Sequence, residues 1–329
     1  MKKTVRTVLK LCLLAVGTLL GLGLTAVVGL NLAKDVIYSD YAAVQTDVCK
    51  IPGISDGFVC QGICVYNDGE KILVSGYMGD GSPSRIYVTD GQSSYHVSIA
   101  YGSGKPFTAH AGGIAIGGEL IYVTGGSRLY VIPLASVLGA ENGGTVQIKK
   151  IIPVNNKASF VSSDGTFVYV GEYHDGGKHL AEHPYETPNG RQYAIVSRYS
   201  IESLEAYHKT NDSTPVPNRV YSIRNYAQGI SFAPNGQIVI STSYGIEDSV
   251  YYVYNEEDAV ASEHTLEGAP VYYLYDHVNE IHGPAMAEGI TYCNGKLYTL
   301  TESAANKYLF GKFFFADRIV ALDLLTEQE

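Results

Sequence analysis

Four polar residues stand just ahead of a glycine-hydrophobic step: Gln61 before Gly62-Ile63, His110 two residues before Gly112-Gly113-Ile114, Gln228 before Gly229-Ile230 and Glu288 before Gly289-Ile290. A second set follows the next extended run in each case: Tyr77, Ser127, Glu172, Tyr173, His174, Tyr244 and Glu302. Brought together, they could bind through amides and phenols, move protons through a neutral imidazole, or hold a cation through carboxylates. His110 and His174 are the candidate bases, and Gln61, Tyr77, Ser127, Tyr173, Gln228 and Tyr244 the candidate ligand contacts. Glu172, Glu288 and Glu302 are the candidate metal ligands, should a cation bind. Glu172 and His174 lie at i, i+2, so an extended chain turns both to one side. Each residue also has a plain structural use, because polar groups buried in a channel need hydrogen-bond partners. His179 and His183 have helical zinc spacing, but Gly176, Gly177 and Pro184 argue against a helix, so both are expected in solvent.

These residues need elements to position them, and the chain repeats one local pattern five times. Ile63, Ile114, Val161, Ile230 and Ile290 each sit on an apolar run that leads into a turn and a second run, with separations of 51, 47, 69 and 60 residues. The turn centres, Asp68-Gly69, Gly117-Gly118, Asp164-Gly165, Asn235-Gly236 and Asn294-Gly295, are hairpin chemistry that tolerates positive φ. Alternating β-branched and tyrosine residues follow, as in Lys296-Leu297-Tyr298-Thr299-Leu300. Repeats of about 40–50 residues, stretched by loops, predict an all-β propeller of four-stranded antiparallel blades. Five blades are expected, with six as the near alternative and a flat sandwich as the distant one. In a propeller the starts of the inner strands and the ends of the second strands open on one face, which gathers both polar sets around the central channel.

The outer strands are expected at residues 84–89 and 95–100 in the first blade, and at 128–134 and 145–154 in the second. The third blade holds 194–200 and 219–223, with a short helix at 201–208. The fourth blade is expected to use the tyrosine-rich stretch 249–275. Two insertions, 174–192 and the phenylalanine-rich 303–315, are placed on the channel face. The fifth blade lacks an outer strand after residues 318–324, and residues 42–49 are predicted to supply it, since an open ring would expose sheet edges.

Lys2, Lys3 and Arg6 precede a charge-free run at residues 11–33. A bilayer-spanning helix needs about 20 apolar residues. Basic residues before the run predict a cytoplasmic N-terminus and an exported body. The reading is a cytoplasmic start and signal anchor over residues 1–34, a linker over 35–41 and an extracytoplasmic propeller over 42–329. The protein would then be single-pass in the cell membrane, with secretion after signal cleavage as the alternative. A net charge of −10 argues against nucleic acid and anionic lipid as partners of the body, leaving membrane contact to the N-terminal helix alone. Tyrosine, present 27 times while tryptophan is absent, must supply much of the aromatic packing. Cys12 lies in the apolar run. Cys60 and Cys64 share a strand and are too far apart to bridge. Cys64 could pair with Cys293 on a neighbouring inner strand, or Cys49, Cys60, Cys64 and Cys293 could be buried thiols. Asn211-Asp212-Ser213 is an acceptor for glycosylation only in a system that glycosylates.

The glycine-isoleucine strand with Gln61, Gln228 and Glu288 ahead of it resembles the broad propeller group of gluconolactonases, paraoxonases and strictosidine synthases. The run HAGGIAIGGELIYVTGGSRLYVIPL also looks like blades of uncharacterised secreted bacterial propellers. The lactonase resemblance implies a channel Ca2+ held by a Glu and several Asn or Asp. Glu288 matches the Glu-Gly step, whereas the other inner strands carry Gln, His and Ser. No nucleophile elbow, phosphate loop or EF-hand pattern is present. The expectation is therefore an extracytoplasmic binding or scaffold propeller for a small molecule, glycan or peptide, with a metal-assisted lactonase or esterase as the alternative.

Overall fold

Each recurring hairpin builds the inner half of a blade. A computed structural model of the chain describes residues 2–210 and 213–325, with the side chains of residues 2–17, 19 and 20 outside the description. Its strands form five propeller blades. The first blade runs outward through Phe58–Tyr66, Lys71–Met78, Arg85–Thr89 and Ser94–Tyr101. The second uses Ile114–Gly117, Leu120–Thr124, Arg128–Pro133 and Lys150–Pro153, and the third uses Phe160–Ser163, Phe167–Gly171, Ala194–Ser200 and Arg219–Ile223. Ala227–Phe232, Gln237–Thr242, Ser249–Asn255 and Asn279–Gly283 make the fourth.

The fifth blade takes Ala287–Cys293, Lys296–Thr301 and Arg318–Leu322 from the end of the chain, and Gln45–Lys50 from its beginning. Gln45–Lys50 pairs antiparallel with Arg318–Leu322, with a register shift between Asp47 and Cys49. The predicted closure is therefore present, starting three residues later than expected because Ser39–Val44 is a helical turn.

The glycines of the repeat have a packing reason. A side chain at Gly62 would come within 2.6 Å of the Gly113 Cα, and one at Gly113 within 2.5 Å of the Val161 nitrogen. Gly229 faces Ile290 and Gly289 of the next blade in the same way, and Gly289 faces Gly62. Five inner strands thus meet backbone to backbone at the axis, and a Cβ there would force them apart. The tyrosines take the predicted role of sheet packing: Tyr122, Tyr199, Tyr221, Tyr251 and Tyr254 are among the largest fully buried side chains.

Two expectations about the outer strands change, and one about the linker. Residues 145–154 do not form one strand. Gly144–Ile148 crosses to the first blade and adds a parallel fifth strand beside Ser94–Tyr101, and only Lys150–Pro153 belongs to the second. Likewise, the hairpin Val260–Leu266 and Ala269–Tyr273 leaves the fourth blade and extends the third, parallel to Arg219–Ile223. Both crossings cover an exposed sheet edge with a neighbour's chain. Residues 35–41 are helical rather than an open linker. Packing imposes that order: Tyr38 donates to Asp248 (2.8 Å), and Tyr41 stacks on Tyr251 with ring centres 5.9 Å apart.

The helix Lys2–Ile37 contains the charge-free run, whose residues 11–17, with Cys12, lie outside the described side chains. Among the described residues no helix is long and apolar enough to cross a membrane. Asn211 and Asp212 of the glycosylation sequence also lie outside the described residues. The four described cysteines are free, buried thiols. The Cys64–Cys293 bridge is therefore not formed. Cys64 is packed into the core shared by the first two blades, and burial raises its thiol pKa, which leaves it inert.

Candidate functional site at the channel mouth

The inner strands present their polar residues through β-bulges. Pairing with the second strand slips between Cys60 and Gly62, between Ala227 and Gly229, and between Ala287 and Ile290. The unpaired residues are Gln61, Gln228 and, with Gly289, Glu288. A bulge re-aims the side chain it carries, and these turn into the channel mouth. Three positive-φ residues other than glycine, Ala111, Tyr226 and Met286, sit just before the inner strands of the second, fourth and fifth blades. Such conformations cost of order 1–3 kcal/mol each and cluster where a site must be shaped. Hydroxyls of one blade then fix the next: Ser75 donates to the Ala111 carbonyl (3.1 Å), Thr124 to that of Ser159 (3.2 Å) and Ser241 to that of Glu288 (2.8 Å).

These residues line a cavity of about 870 Å³ with Gln61, His110, Gln228, Glu288 and Glu302 in its walls. Tyr173 follows the second strand of the third blade, Asp175 and His179 come from that blade's insertion, Ser243 to Ile246 from the fourth blade, and Lys307 to Gly311 from the fifth-blade insertion. The predicted gathering of Gln61, His110, Tyr173, Gln228, Tyr244, Glu288 and Glu302 is thus observed. Both insertions reach this face.

The chemistry centres on two carboxyl groups. Glu288 is 3 % exposed, and among the described residues no hydrogen bond reaches its carboxyl group. Burial, and then the neighbouring Glu302, hold its pKa well above the usual carboxylate range. Glu302 accepts from Gln61 Nε2 (2.8 Å). Burial pushes its pKa up to about 7, against the opposing pull of Tyr308, Gln61 and Lys307. Both shifts run the same way, toward the protonated acid. His110 stacks on Tyr77 with ring centres 4.5 Å apart. Desolvation in the concavity, and then the charges of Lys307 and His179, hold its pKa below the ordinary value, so the imidazole is neutral. Gln228 Nε2 donates to Ser243 Oγ (3.3 Å).

Four expected site residues are elsewhere. Glu172 is fully buried and faces the third-blade insertion, accepting from the Lys157 N–H (2.9 Å) and the Ile195 N–H (3.2 Å) and pairing with His183 at 3.0 Å. His174 stacks on Tyr193 and accepts from the Ala181 N–H (3.0 Å). Both are therefore braces of the insertion rather than a metal or acid/base pair. Their partners lie up to 23 residues away in sequence, so strand alternation alone could not reveal them. Ser127 is exposed in the turn beside Gly125 and Gly126, whose backbone lines the cavity in its place. Tyr77 stands behind the wall, bonded to Tyr308 (3.0 Å) and Lys307 (2.6 Å). His183, expected in solvent, is the Glu172 partner, and His179 reaches the cavity. Lys307 and Tyr308, which no pattern of the sequence singles out, also line the cavity from the insertion expected on this face.

A Ca2+ ion takes six to eight oxygen ligands. With Glu172 turned away, the site offers the carboxyl groups of Glu288 and Glu302 and that of Asp175, whose Oδ1 accepts from the Gly177 and His179 N–H groups, while Gln61 points its amide nitrogen at Glu302. Among the described residues no cluster of three or more His, Cys, Asp or Glu could hold a metal ion. This donor set does not fit the channel calcium of the lactonase resemblance.

No family model matches the chain, and no curated protein matches it. Among solved structures it is similar to the PQQ-bound aldose sugar dehydrogenase of Streptomyces coelicolor (15 % identity, TM-score 0.41, covering 78 % of this chain and 77 % of that one). It is also similar to Myxococcus xanthus glutaminyl cyclase (10 %, TM-score 0.40, 78 % and 88 %) and to a chain of the nidogen/laminin complex (10 %, TM-score 0.38, 74 % and 73 %). At these values the likenesses carry no argument about function. The class rests on the strand order: a five-bladed propeller with one polar cavity at the channel mouth.

Proposed function

We propose that this chain is a membrane-anchored, extracytoplasmic binding propeller whose channel-mouth cavity takes a small ligand rich in hydrogen-bond donors, an amine or a polyhydroxylated molecule. The observation that carries the reading is the Glu288 carboxyl group, buried and without a hydrogen bond beside Glu302. Glu288 lines the cavity, where a ligand donor can reach its carboxyl group and make a hydrogen bond that contributes about 0.5–1.5 kcal/mol. Gln61, Gln228, Tyr173 and Tyr244 surround the position with groups that orient a ligand. The charge-free run at residues 11–33 after Lys2, Lys3 and Arg6 supports the anchor, with the propeller outside the cytoplasm. A secreted form after signal cleavage is the alternative.

A second reading, a hydrolase of the lactonase or esterase type, draws on the neutral His110 imidazole in the cavity, which is in the state a general base requires. One screen separates them. Full-length protein is tested against amines, sugars, short peptides, esters and lactones, with thermal shift and turnover read together. The binding reading expects compounds that stabilise wild type but not Glu288→Leu, which removes the acceptor, without turnover. Turnover that falls by orders of magnitude in a folded His110→Ala variant establishes the hydrolase instead. Stabilisation that a folded Glu288→Leu variant retains unchanged refutes the assigned site.

A further inference from the structure

The insertion between the second and third strands of the fifth blade does two things at once. Lys307 to Gly311 forms one wall of the cavity. The following turn, Phe310–Phe314, meets the N-terminal helix through a set of polar contacts. Asn31 Nδ2 donates to the carbonyls of Lys312 (2.8 Å) and Phe313 (3.3 Å), and Asn31 Oδ1 accepts from the Phe315 N–H (2.8 Å). Lys34 Nζ adds a bond to the Phe315 carbonyl (3.2 Å). The turn packs Phe314 against Tyr38, but leaves two apolar side chains at its start outward: Leu309 is 77 % and Phe310 64 % exposed. Lys312, the cation of the segment, is turned inward to the carbonyls of Ala304 and Ala305. On the helix, Leu22, Leu24, Val28, Leu32 and Val36 are exposed as well.

Groups that hydrogen-bond to one another lie at the same depth in a bilayer. The centre of the charge-free run is Leu22, and Asn31 lies nine residues further along. At 1.5 Å per residue that is about 14 Å, against a half-thickness of about 15 Å for the hydrocarbon layer. Asn31, and with it the backbone of Lys312 to Phe315, therefore falls where hydrocarbon gives way to headgroups. Apolar side chains such as Phe and Leu bury into the boundary between headgroups and acyl chains at that level.

We infer that the lip formed by Leu309 and Phe310 is a membrane-contacting surface that seats the cavity mouth against the headgroup layer of the bilayer holding the helix. The inference rests on the anchored reading above and extends it, because membrane contact then involves the propeller as well as the helix. The acidic body does not oppose this for a zwitterionic surface, and Lys34, Lys307 and Lys312 are cations of the contact region, with Asp35 next to Lys34.

The chain has no tryptophan, so single substitutions give unambiguous fluorescent reporters. Full-length Leu22→Trp, Phe310→Trp and Glu70→Trp variants are reconstituted into phosphatidylcholine vesicles with and without brominated acyl chains. Glu70 lies in the hairpin turn at the opposite end of the channel. The expected result is strong quenching at positions 22 and 310 and none at 70, with a blue-shifted emission at 310. Quenching at 22 but not at 310 overturns the lip inference and leaves the anchor standing. No quenching at 22 removes the anchor, and the inference falls with it.

Discussion

Glu288→Gln tests the electrostatics of the site through stability, with no knowledge of the ligand. The ordinary carboxyl pKa is 4.5, and both Glu288 and Glu302 lie above it in the folded protein, Glu288 well above and Glu302 at about 7. A carboxyl group that is harder to ionise when folded favours the folded state while it is protonated. That contribution is fully present below pH 4.5 and is lost as the pH rises toward the folded value. Each proton taken up on folding costs about 1.4 kcal/mol per pH unit across that window. Glu302 contributes from 4.5 to about 7, and Glu288 contributes in the same direction. Glutamine keeps the shape of the protonated acid and has no proton to lose. Between pH 5 and pH 8 the variant should therefore gain on wild type by at most about 4 kcal/mol, a midpoint difference on the order of 10 °C for a domain of this size. The assay is thermal unfolding of both full-length proteins in mild detergent at half-unit pH steps. Parallel midpoint curves would refute a protonated, buried Glu288. A variant less stable at pH 8 would mean that the carboxylate is ionised and held by a bound cation.

Two further outcomes follow from the ring itself. Gly113→Ala would put a methyl group 2.5 Å from the Val161 nitrogen, and overpacking of this kind costs about 1–3 kcal/mol or more. Gly177→Ala, whose nearest neighbour would be Asp175 Oδ1 at 3.7 Å, should change stability by no more than about 0.5 kcal/mol; equal effects by chemical denaturation would remove the axis-packing argument. Deleting residues 45–50 removes the outer strand of the fifth blade and bares the edge of Arg318–Leu322, so the cooperative thermal transition should disappear. A sharp transition retained by the deletion variant would show that the ring does not depend on this closure.

The parts of the fold that could be read from sequence are the parts encoded locally. Asn294-Gly295 or Asp164-Gly165 names a hairpin without outside help, and the glycine-isoleucine step repeats because the inner strands meet at backbone distance. The missing outer strand was legible because a ring must close. What failed was decided by remote partners. Gly144–Ile148 and the hairpin ending at Tyr273 pair in parallel with neighbouring blades, and nothing in their own alternation distinguishes that from staying at home. Glu172 and His174 have the right types and spacing for a site, yet Lys157, Ala181, His183 and Ile195 claim their polar atoms. The same asymmetry explains why the channel residues were found. The register shifts fall at the glycines of positions 62, 229 and 289, and the polar residues left unpaired there, Gln61, Gln228 and Glu288, line the cavity. Polarity at the channel mouth thus goes with the bulges of the inner strands. Binding specificity enters with the residue type at each bulge, here Gln, Gln and Glu, and with the two insertions that wall the cavity. Exchanging the bulge residues should therefore change what the propeller binds and leave its blades in place.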